Sequence, residues 1–246
     1  MLRGNKAIVT GGSRGIGFAI AKELAAKGCK VVITGRNMKS LQEAAEKIGG
    51  GVIPMEWNIS DLAGIPEKME EAAKLLGGLD ILVNNAGIFA QRNEWDKKRL
   101  LETTIPEWES VMTTNTSSLF FMMQAGVNYM LKHKIKGNIL NVTSVAGYEP
   151  VRGAYGASKT ASVGLTRGWG MVFAGDGITI NGIAPGPVAT EMNDWHEGDP
   201  LDHDYIPYGR FATIEEIAGL AMYLLSEEAK MVCGETVVFD GAYHIR

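Results

Sequence analysis

The chain has 246 residues, of which 46% are hydrophobic and 21% are charged, so it can form a large core within one domain. Its net charge of −4 and the absence of a long basic block argue against nucleic acid as a partner. It has no apolar run near the ~20 residues of a membrane span and no leader-like start, so we expect a soluble, cytoplasmic protein. Cys29 and Cys233 lie far apart without a paired Cys/His motif, which predicts free thiols and no metal site.

Short apolar, β-branched runs alternate with segments of helical periodicity along the chain. Strands are predicted at residues 7–10, 30–34, 51–57, 80–84, 138–143, 179–183 and 236–239. Helices are predicted at residues 15–27, 39–48, 61–76, 108–134, 155–174 and 213–226, the last one opened by a capping box of Thr213 and Glu216. This alternation predicts an α/β fold, in which a single domain (residues 1–246) forms a doubly wound, Rossmann-like parallel sheet with helices on both faces.

A glycine-rich turn joins the first predicted strand to the first predicted helix. The turn reads Thr10-Gly11-Gly12-Ser13-Arg14-Gly15-Ile16-Gly17. Glycines there let the backbone approach a pyrophosphate, to which the helix N-terminus offers amide donors. The spacing is Gly-x-x-x-Gly-x-Gly rather than Gly-x-Gly-x-x-Gly, and a plain tight turn is the alternative. Its place between the first strand and the first helix favours nucleotide binding.

The end of the second predicted strand carries the signal for cofactor type. An acidic residue there usually binds the ribose hydroxyls of NAD, whereas an arginine accommodates the 2′-phosphate of NADP. The strand ends in Thr34-Gly35-Arg36 without an acid, and Arg14 can reach the same phosphate from the glycine turn. These two cations favour NADP(H), although each of them is also compatible with a surface residue and NAD(H) stays open.

Tyr155 and Lys159 are four residues apart, which places a phenol and an ammonium group on one face of a predicted helix. A phenol ordinarily has a pKa near ~10 and is a poor acid or base at neutral pH. A neighbouring cation favours the phenolate and brings the pKa toward the working range. Taken alone, the pair is equally compatible with two exposed helix residues.

Together these motifs resemble the short-chain dehydrogenase/reductase family, of the single-domain type that includes β-ketoacyl-carrier-protein reductases. The resemblance extends over essentially the whole chain and includes Asn84-Asn85-Ala86-Gly87, Asn115, Ser144, Tyr155, Lys159, Pro185-Gly186 and Thr190. It implies a catalytic set of Asn115, Ser144, Tyr155 and Lys159. With the glycine turn and Arg36, it implies cofactor binding by Gly11, Ser13, Arg14, Gly15, Ile16, Gly17, Arg36, Asn58, Asn85, Ala86, Gly87, Tyr155, Lys159, Pro185, Gly186, Val188 and Thr190.

Two residues depart from the family pattern. Asn58 stands where many members have an acid that contacts the adenine ring, and an amide can still hydrogen-bond that ring. Ala242 stands where many members have a second glycine near the C-terminus, which affects interface packing rather than catalysis.

The resemblance implies reversible hydride transfer between a nicotinamide and a carbonyl or secondary alcohol. Ser144 and Tyr155 are expected to bind the substrate oxygen, and Tyr155 to act as the general acid or base. Lys159 is expected to bind the nicotinamide ribose and lower the pKa of the phenol, and Asn115 to anchor a water that links Lys159 to solvent. A non-catalytic dinucleotide sensor and an NAD-dependent alcohol, sugar or steroid dehydrogenase are the alternatives. Sugar-nucleotide epimerisation fits poorly, because the chain has no room for a larger substrate domain.

The substrate is the least determined part of the site. Lining residues are expected at Ser144, Ala146, Tyr148, Tyr155 and Gly186, with a lid at about residues 187–211. A long polar segment inside a compact domain is typical of a lid, and disorder is the alternative. The lid is acidic, which disfavours an anionic substrate. The cluster 132–136 and Arg167 are weak candidates for docking an acidic carrier protein.

The family resemblance also implies a homotetramer or dimer. Its interface would run through the helices predicted at 108–134 and 155–174, which are rich in phenylalanine, methionine and glycine. Core packing explains the same composition, so the partner surface stays open at this stage.

Overall fold

The computed structural model describes residues 1–89 and 97–245, and its strands form one seven-stranded sheet. The strands are β1 (Lys6–Thr10), β2 (Lys30–Gly35), β3 (Ile53–Glu56), β4 (Ile81–Asn84), β5 (Asn138–Val142), β6 (Thr179–Pro185) and β7 (Thr236–Phe239). Their order is β3-β2-β1-β4-β5-β6-β7, and every neighbouring pair is parallel.

Helices connect the strands and cover both faces of the sheet. They are α1 (Gly15–Ala26), α2 (Met38–Ile48), α3 (Ile65–Leu76), α4 (Lys97–Glu102), α5 (Ile105–Met112), α6 (Ser118–Lys132), α7 (Ala154–Phe173) and α8 (Ile214–Leu224). The core has a layer on each face: alternate residues Ala7 and Val9 of β1 join one hydrophobic cluster, and Ile8 joins the other. The prediction of a doubly wound parallel sheet with helices on both faces is confirmed.

Several predicted boundaries were wrong by two residues or more. The helix predicted at 61–76 begins at Ile65, because Asn58 and Asp61 accept backbone hydrogen bonds that hold residues 58–64 in turns. The strand predicted at 51–57 runs only over Ile53–Glu56, since it follows a run of glycines with positive φ. The helix predicted at 108–134 starts earlier, at Ile105, and a π-helical turn over Thr113–Ser117 divides it into α5 and α6.

The sheet order places the switch of winding direction between β1 and β4. From β1 the chain winds to β2 and β3 on one side, and from β4 it winds to β5, β6 and β7 on the other. Ligands of open α/β sheets bind at the carboxyl ends of the strands beside such a switch point. The glycine turn follows β1 there and Asn85 follows β4, so the predicted nucleotide-binding residues lie at this edge.

The segment 187–211 follows β6 and contains a single short 3₁₀ turn, Glu191–Asn193. Two isolated bridges, Val188 with Ala212 and Asp202 with Arg210, close it against the residues just before α8. Most of its side chains are exposed to solvent.

Three features relevant to function class can be read from the described residues. None of the helices in the described part of the chain is both long and apolar enough to cross a membrane. In the same residues, no three side chains of histidine, cysteine, aspartate or glutamate converge as metal ligands would. Cys29 is buried and Cys233 is half-buried, and both thiols are free, as predicted.

Candidate active site

The glycine turn is shaped by close contacts that leave no room for a side chain at Gly12 or Gly17. Gly11 and Gly15 adopt left-handed backbone conformations, with φ of +66° and +57°. A Cβ at Gly17 would lie 2.4 Å from both the Asn85 Nδ2 atom and the Gly11 carbonyl oxygen. The turn is therefore tightly packed against the loop that follows β4.

Thr10 and Asn85 connect the glycine turn to β4. The Asn85 side-chain amide donates to the carbonyls of Thr10 and Gly11, at 2.9 and 3.1 Å. In return, the Thr10 hydroxyl accepts from the backbone N–H groups of Asn85 and Ala86, at 2.9 and 3.0 Å. These four bonds fix the two loops of the switch point relative to each other. Asn85 therefore shapes the site by holding its backbone in place.

The N-terminus of α1 fits a phosphate group. Among the residues that the structure describes, no side chain caps this helix end and its first turn carries no acid. Its first amide groups therefore lack intrahelical partners and lie behind a turn of glycines, which is the arrangement that a pyrophosphate requires. Thr190 lies against the same turn, since a Cβ at Gly15 would be 3.8 Å from its Cγ2 atom.

The two predicted phosphate-binding cations differ in their surroundings. Arg36 is exposed just after β2. The Arg14 guanidinium forms an ion pair with Glu191 of the segment after β6, with 2.7 Å between Nη1 and Oε2. Asn58, the predicted adenine contact, is exposed, and its Oδ1 atom accepts from the backbone N–H of Ser60.

Tyr155 and Lys159 lie in the first turns of α7, as predicted. The Lys159 ammonium is buried, donates to the Val142 carbonyl at 3.2 Å and lies 5.6 Å from the centre of the Tyr155 ring. The Tyr155 ring packs edge-on against Phe89, with 4.5 Å between the ring centres. The cation and the phenol ring are therefore close neighbours on α7, next to the carboxyl end of β5.

Burial perturbs the lysine strongly. Desolvation lowers the pKa of Lys159 from 10.5 to about 8. At pH 7 the ammonium form of Lys159 is dominant, but this pH lies only about one unit below the pKa. A cation of this kind can both polarise a neighbouring phenol and exchange a proton.

Asn115 connects the loop after β4 to α7. It lies in the π-helical turn and forms two hydrogen bonds of 2.9 Å with the backbone of Ile88, accepting from the N–H group and donating to the carbonyl. Its Nδ2 atom also donates to the Ser158 hydroxyl at 3.1 Å, and that hydroxyl donates to the Tyr155 carbonyl at 2.7 Å. Asn115 therefore holds the helix that carries Tyr155.

Sequence reasoning missed both Ser158 and the π-helical turn. Ser158 is fully buried between Asn115 and the backbone of Tyr155. Its spacing of three from Tyr155 was the one available signal. The π turn had none, although such turns often mark functional sites.

The predicted substrate-contacting residues occupy different environments. Ser144 follows β5 in an extended conformation, and its hydroxyl accepts from the Ala146 N–H at 3.2 Å. The Tyr148 hydroxyl instead donates to the Thr236 carbonyl of β7 at 3.1 Å. Gly186 faces the C-terminal segment, since a Cβ there would lie 2.4 Å from the Cβ of Asp240. Ala146 is half-buried in the short turn after Ser144.

A small cavity of about 20 Å³ lies beside Lys159, with room for one water molecule. Its polar lining includes Asn84, Asn115, Ser118 and Ser162. Within the described residues, the buried Oδ1 atom of Asn84 has no hydrogen-bond partner.

Comparisons with known proteins find relatives along nearly the whole chain. A family model described as "Enoyl-(Acyl carrier protein) reductase" matches residues 11–244. Gluconate 5-dehydrogenase of Gluconobacter oxydans is 35% identical, over 98% of this chain and 94% of its own length. The 3-oxoacyl-(acyl-carrier-protein) reductase of Thermotoga maritima is 34% identical over 98% of each chain. A crystal structure of a short chain dehydrogenase from Bacillus anthracis superposes with a TM-score of 0.86 at 31% identity, covering 98% of this chain and 97% of that one.

Proposed function

Because this chain belongs to the short-chain dehydrogenase/reductase family, a family of oxidoreductases, we propose that it transfers a hydride between NADP(H) and a ketone or secondary alcohol. The observation that carries the proposal is the buried ammonium of Lys159 next to Tyr155, on a helix that Asn115 holds in place.

The residues that would hold the cofactor lie along the carboxyl edge of the sheet. The turn from Gly11 to Gly17 and the N-terminus of α1 would bind the pyrophosphate, and Asn58 and the loop from Asn85 to Gly87 would border the adenosine. Residues 185–190, with the buried Pro185 and Val188, would form the nicotinamide side. The bound nicotinamide supplies or accepts the hydride.

Tyr155 would handle the proton at the substrate oxygen. In the direction of reduction, Ser144 and Tyr155 donate hydrogen bonds to the carbonyl oxygen, and Tyr155 then gives its proton to the developing alkoxide. The ammonium of Lys159 stabilises the phenolate that remains. Since its pKa is lowered to about 8, Lys159 can release a proton to that phenolate at little cost. Asn115 and the cavity beside it would position the water through which Lys159 is reprotonated.

We propose NADP(H) rather than NAD(H) because the first charged side chain after β2 is a cation. Arg36 follows β2 where no acid is available for ribose hydroxyls, and Arg14 lies at the start of α1. The ion pair with Glu191 engages one nitrogen of Arg14, and Arg36 is exposed to solvent.

The proposed substrate is a small, uncharged ketone or alcohol. The relatives' names include a glucose 1-dehydrogenase and a 3-oxoacyl-(acyl-carrier-protein) reductase, so neutral sugars and acyl thioesters are the candidate classes. The exposed acids of the segment 187–211, the proposed lid, favour a neutral substrate, because like charges would repel an anion there. The proposed lining residues of the substrate pocket are Ser144, Ala146, Tyr148, Tyr155 and Gly186.

We further propose that the protein works in the cytoplasm as a homotetramer or dimer that packs through α6 and α7. Exposed apolar side chains on these helices, Phe121, Met171 and Val172, support this arrangement. Sedimentation would test it, and a monomer at micromolar concentration would refute it.

Turnover followed by nicotinamide absorbance tests the function directly. Purified protein would be given NADPH or NADH with a β-ketoacyl thioester, a keto sugar, a ketosteroid and a simple aromatic ketone. Tyr155→Phe is expected to lose about 10²–10⁴-fold in rate while it still binds cofactor. Tyr223→Phe, an exposed site on α8, is the matched control.

The outcomes separate the candidate functions. Faster turnover with NADPH supports the full proposal, and faster turnover with NADH would make the protein an NAD-dependent dehydrogenase. Tight cofactor binding without any turnover would favour a non-catalytic sensor. Full activity in Tyr155→Phe would refute the role given to the phenol.

A further inference from the structure

Arg14 and Glu191 form an ion pair between the glycine turn and the segment after β6. Nη1 and Oε2 are 2.7 Å apart, although the two residues are separated by 177 positions in the sequence. Arg14 immediately precedes α1, and Glu191 is the first residue of the 3₁₀ turn Glu191–Asn193. The pair therefore connects the N-terminus of α1, the proposed pyrophosphate site, to the segment after β6.

The backbone around Glu191 is fixed independently of this ion pair. The Thr190 carbonyl accepts from the N–H groups of Asn193 and Trp195, at 2.9 and 3.2 Å. The Asn193 side chain donates to the Val188 carbonyl at 2.8 Å. Because these bonds hold the turn, the backbone of Glu191 stays within reach of Arg14 when the ion pair opens.

Resting on the proposed NADP(H) function, we propose that Glu191 is a specificity-determining residue that competes with the 2′-phosphate of the cofactor for Arg14. NADP carries a phosphate where NAD carries a hydroxyl. The phosphate must displace the carboxylate from Arg14 and then stay close to it, whereas the hydroxyl need not. Glu191 therefore lowers the preference of the enzyme for NADP over NAD.

The expected size of the effect is modest because the pair is exposed. The side chains of Arg14 and Glu191 are 80% and 66% accessible, so water and salt screen their attraction. Exposed ion pairs of this kind change an equilibrium by about two- to five-fold. Removing the carboxylate should tighten binding of the 2′-phosphate by that factor.

Two nucleotides that differ only at the 2′ position isolate the effect from the nicotinamide and from catalysis. We would titrate the protein calorimetrically with adenosine 2′,5′-bisphosphate and with adenosine 5′-monophosphate. The variants are Glu191→Gln, Arg14→Gln and the double variant. Glu197→Gln, another exposed acid of the same segment, is the matched control.

In Glu191→Gln, the Kd of the bisphosphate should fall about two- to five-fold, and that of the monophosphate should not change. In the Arg14→Gln background, the same substitution should have no effect on either ligand, since there is no cation to compete for. Glu197→Gln should leave both Kd values unchanged.

Other results would overturn the inference. A weaker bisphosphate complex in Glu191→Gln would mean that the carboxylate aligns Arg14 for the phosphate. Equal tightening of both nucleotides would indicate general repulsion, and no change would mean that Glu191 is irrelevant. If the wild type binds NADP⁺ and Glu191→Gln changes nothing, only this inference fails. A wild type that binds neither NADP⁺ nor NAD⁺ would refute the proposed function as well.

Discussion

Replacement of Lys159 by methionine should make the protein more stable near neutral pH while it inactivates the site. Methionine has a similar length and no charge, so it removes the cost of burying an ammonium group. A pKa lowered from 10.5 to about 8 corresponds, at roughly 1.4 kcal/mol per pH unit, to about 3 kcal/mol. At pH 7 the buried charge of Lys159 lowers the free energy of unfolding of the wild type by about this amount.

The pH dependence separates the charge from packing. Below pH 8 the lysine is protonated in both the folded and the unfolded chain, so the full cost is present. Between pH 8 and 10.5 the folded protein releases the proton while the unfolded chain retains it, so the stability of the wild type rises with pH relative to the variant. Lost packing or the lost bond to the Val142 carbonyl would shift stability equally at every pH.

Urea unfolding of the wild type and of Lys159→Met at fixed protein concentration measures this difference. The advantage of the variant should be about 3 kcal/mol at pH 7 and fall to about 1 kcal/mol at pH 9.5. An advantage that does not change with pH would refute the reasoning, because the charge would then not be the cause. A loss of stability at pH 7 would show that the hydrogen bond to Val142 outweighs desolvation.

Three further perturbations test other parts of the site. Gly17→Ala should weaken binding of NADP⁺ more than about tenfold in a calorimetric titration, because the added Cβ would meet the Asn85 amide at 2.4 Å. Unchanged binding would show that the turn is not the nucleotide site. Asn115→Leu should cost at least about 2 kcal/mol in urea unfolding, since buried groups lose their hydrogen-bond partners; a neutral result would contradict the role given to Asn115. Arg210 lowers the pKa of Glu216 to about 2. Because this ion pair is partly exposed to solvent, Glu216→Gln should lower the free energy of unfolding by no more than about 1 kcal/mol at pH 7. That loss should shrink as the pH falls from 4.5 toward 2, and a constant loss would point to packing instead.

Local sequence signals predicted those parts of the structure that depend on neighbouring residues. The capping box of Thr213 and Glu216 is confirmed, with the Thr213 hydroxyl accepting from the Glu216 N–H and the Glu216 carboxylate accepting from the Thr213 N–H. The spacing of Tyr155 and Lys159 placed them correctly on one helix. Periodicity and turn chemistry therefore suffice to predict a doubly wound parallel sheet and the helix that carries the proposed acid.

Features that depend on distant residues could not be predicted in this way. The buried Lys159 ammonium donates to the carbonyl of Val142, 17 positions earlier in the chain, and no window of sequence around the lysine records that contact. The ion pair of Arg14 and Glu191 joins two ends of the fold. The π turn at Thr113–Ser117 inserts one extra residue per turn without a distinctive composition.

The same π turn shows why the site is rigid where the proposed chemistry needs it. Its bulge turns Asn115 out of the regular helix register, so that a single amide bonds Ile88 on one side and Ser158 on the other. Ser158 in turn holds the carbonyl of Tyr155, so the position of the phenol depends on the loop after β4 as well as on its own helix. The cofactor loop and the proposed general acid are thus connected by hydrogen bonds of 2.7–3.1 Å. Because a misplacement of about 1 Å can cost a hundredfold in rate, the proposed chemistry requires that Tyr155 and the loop after β4 keep this fixed relation.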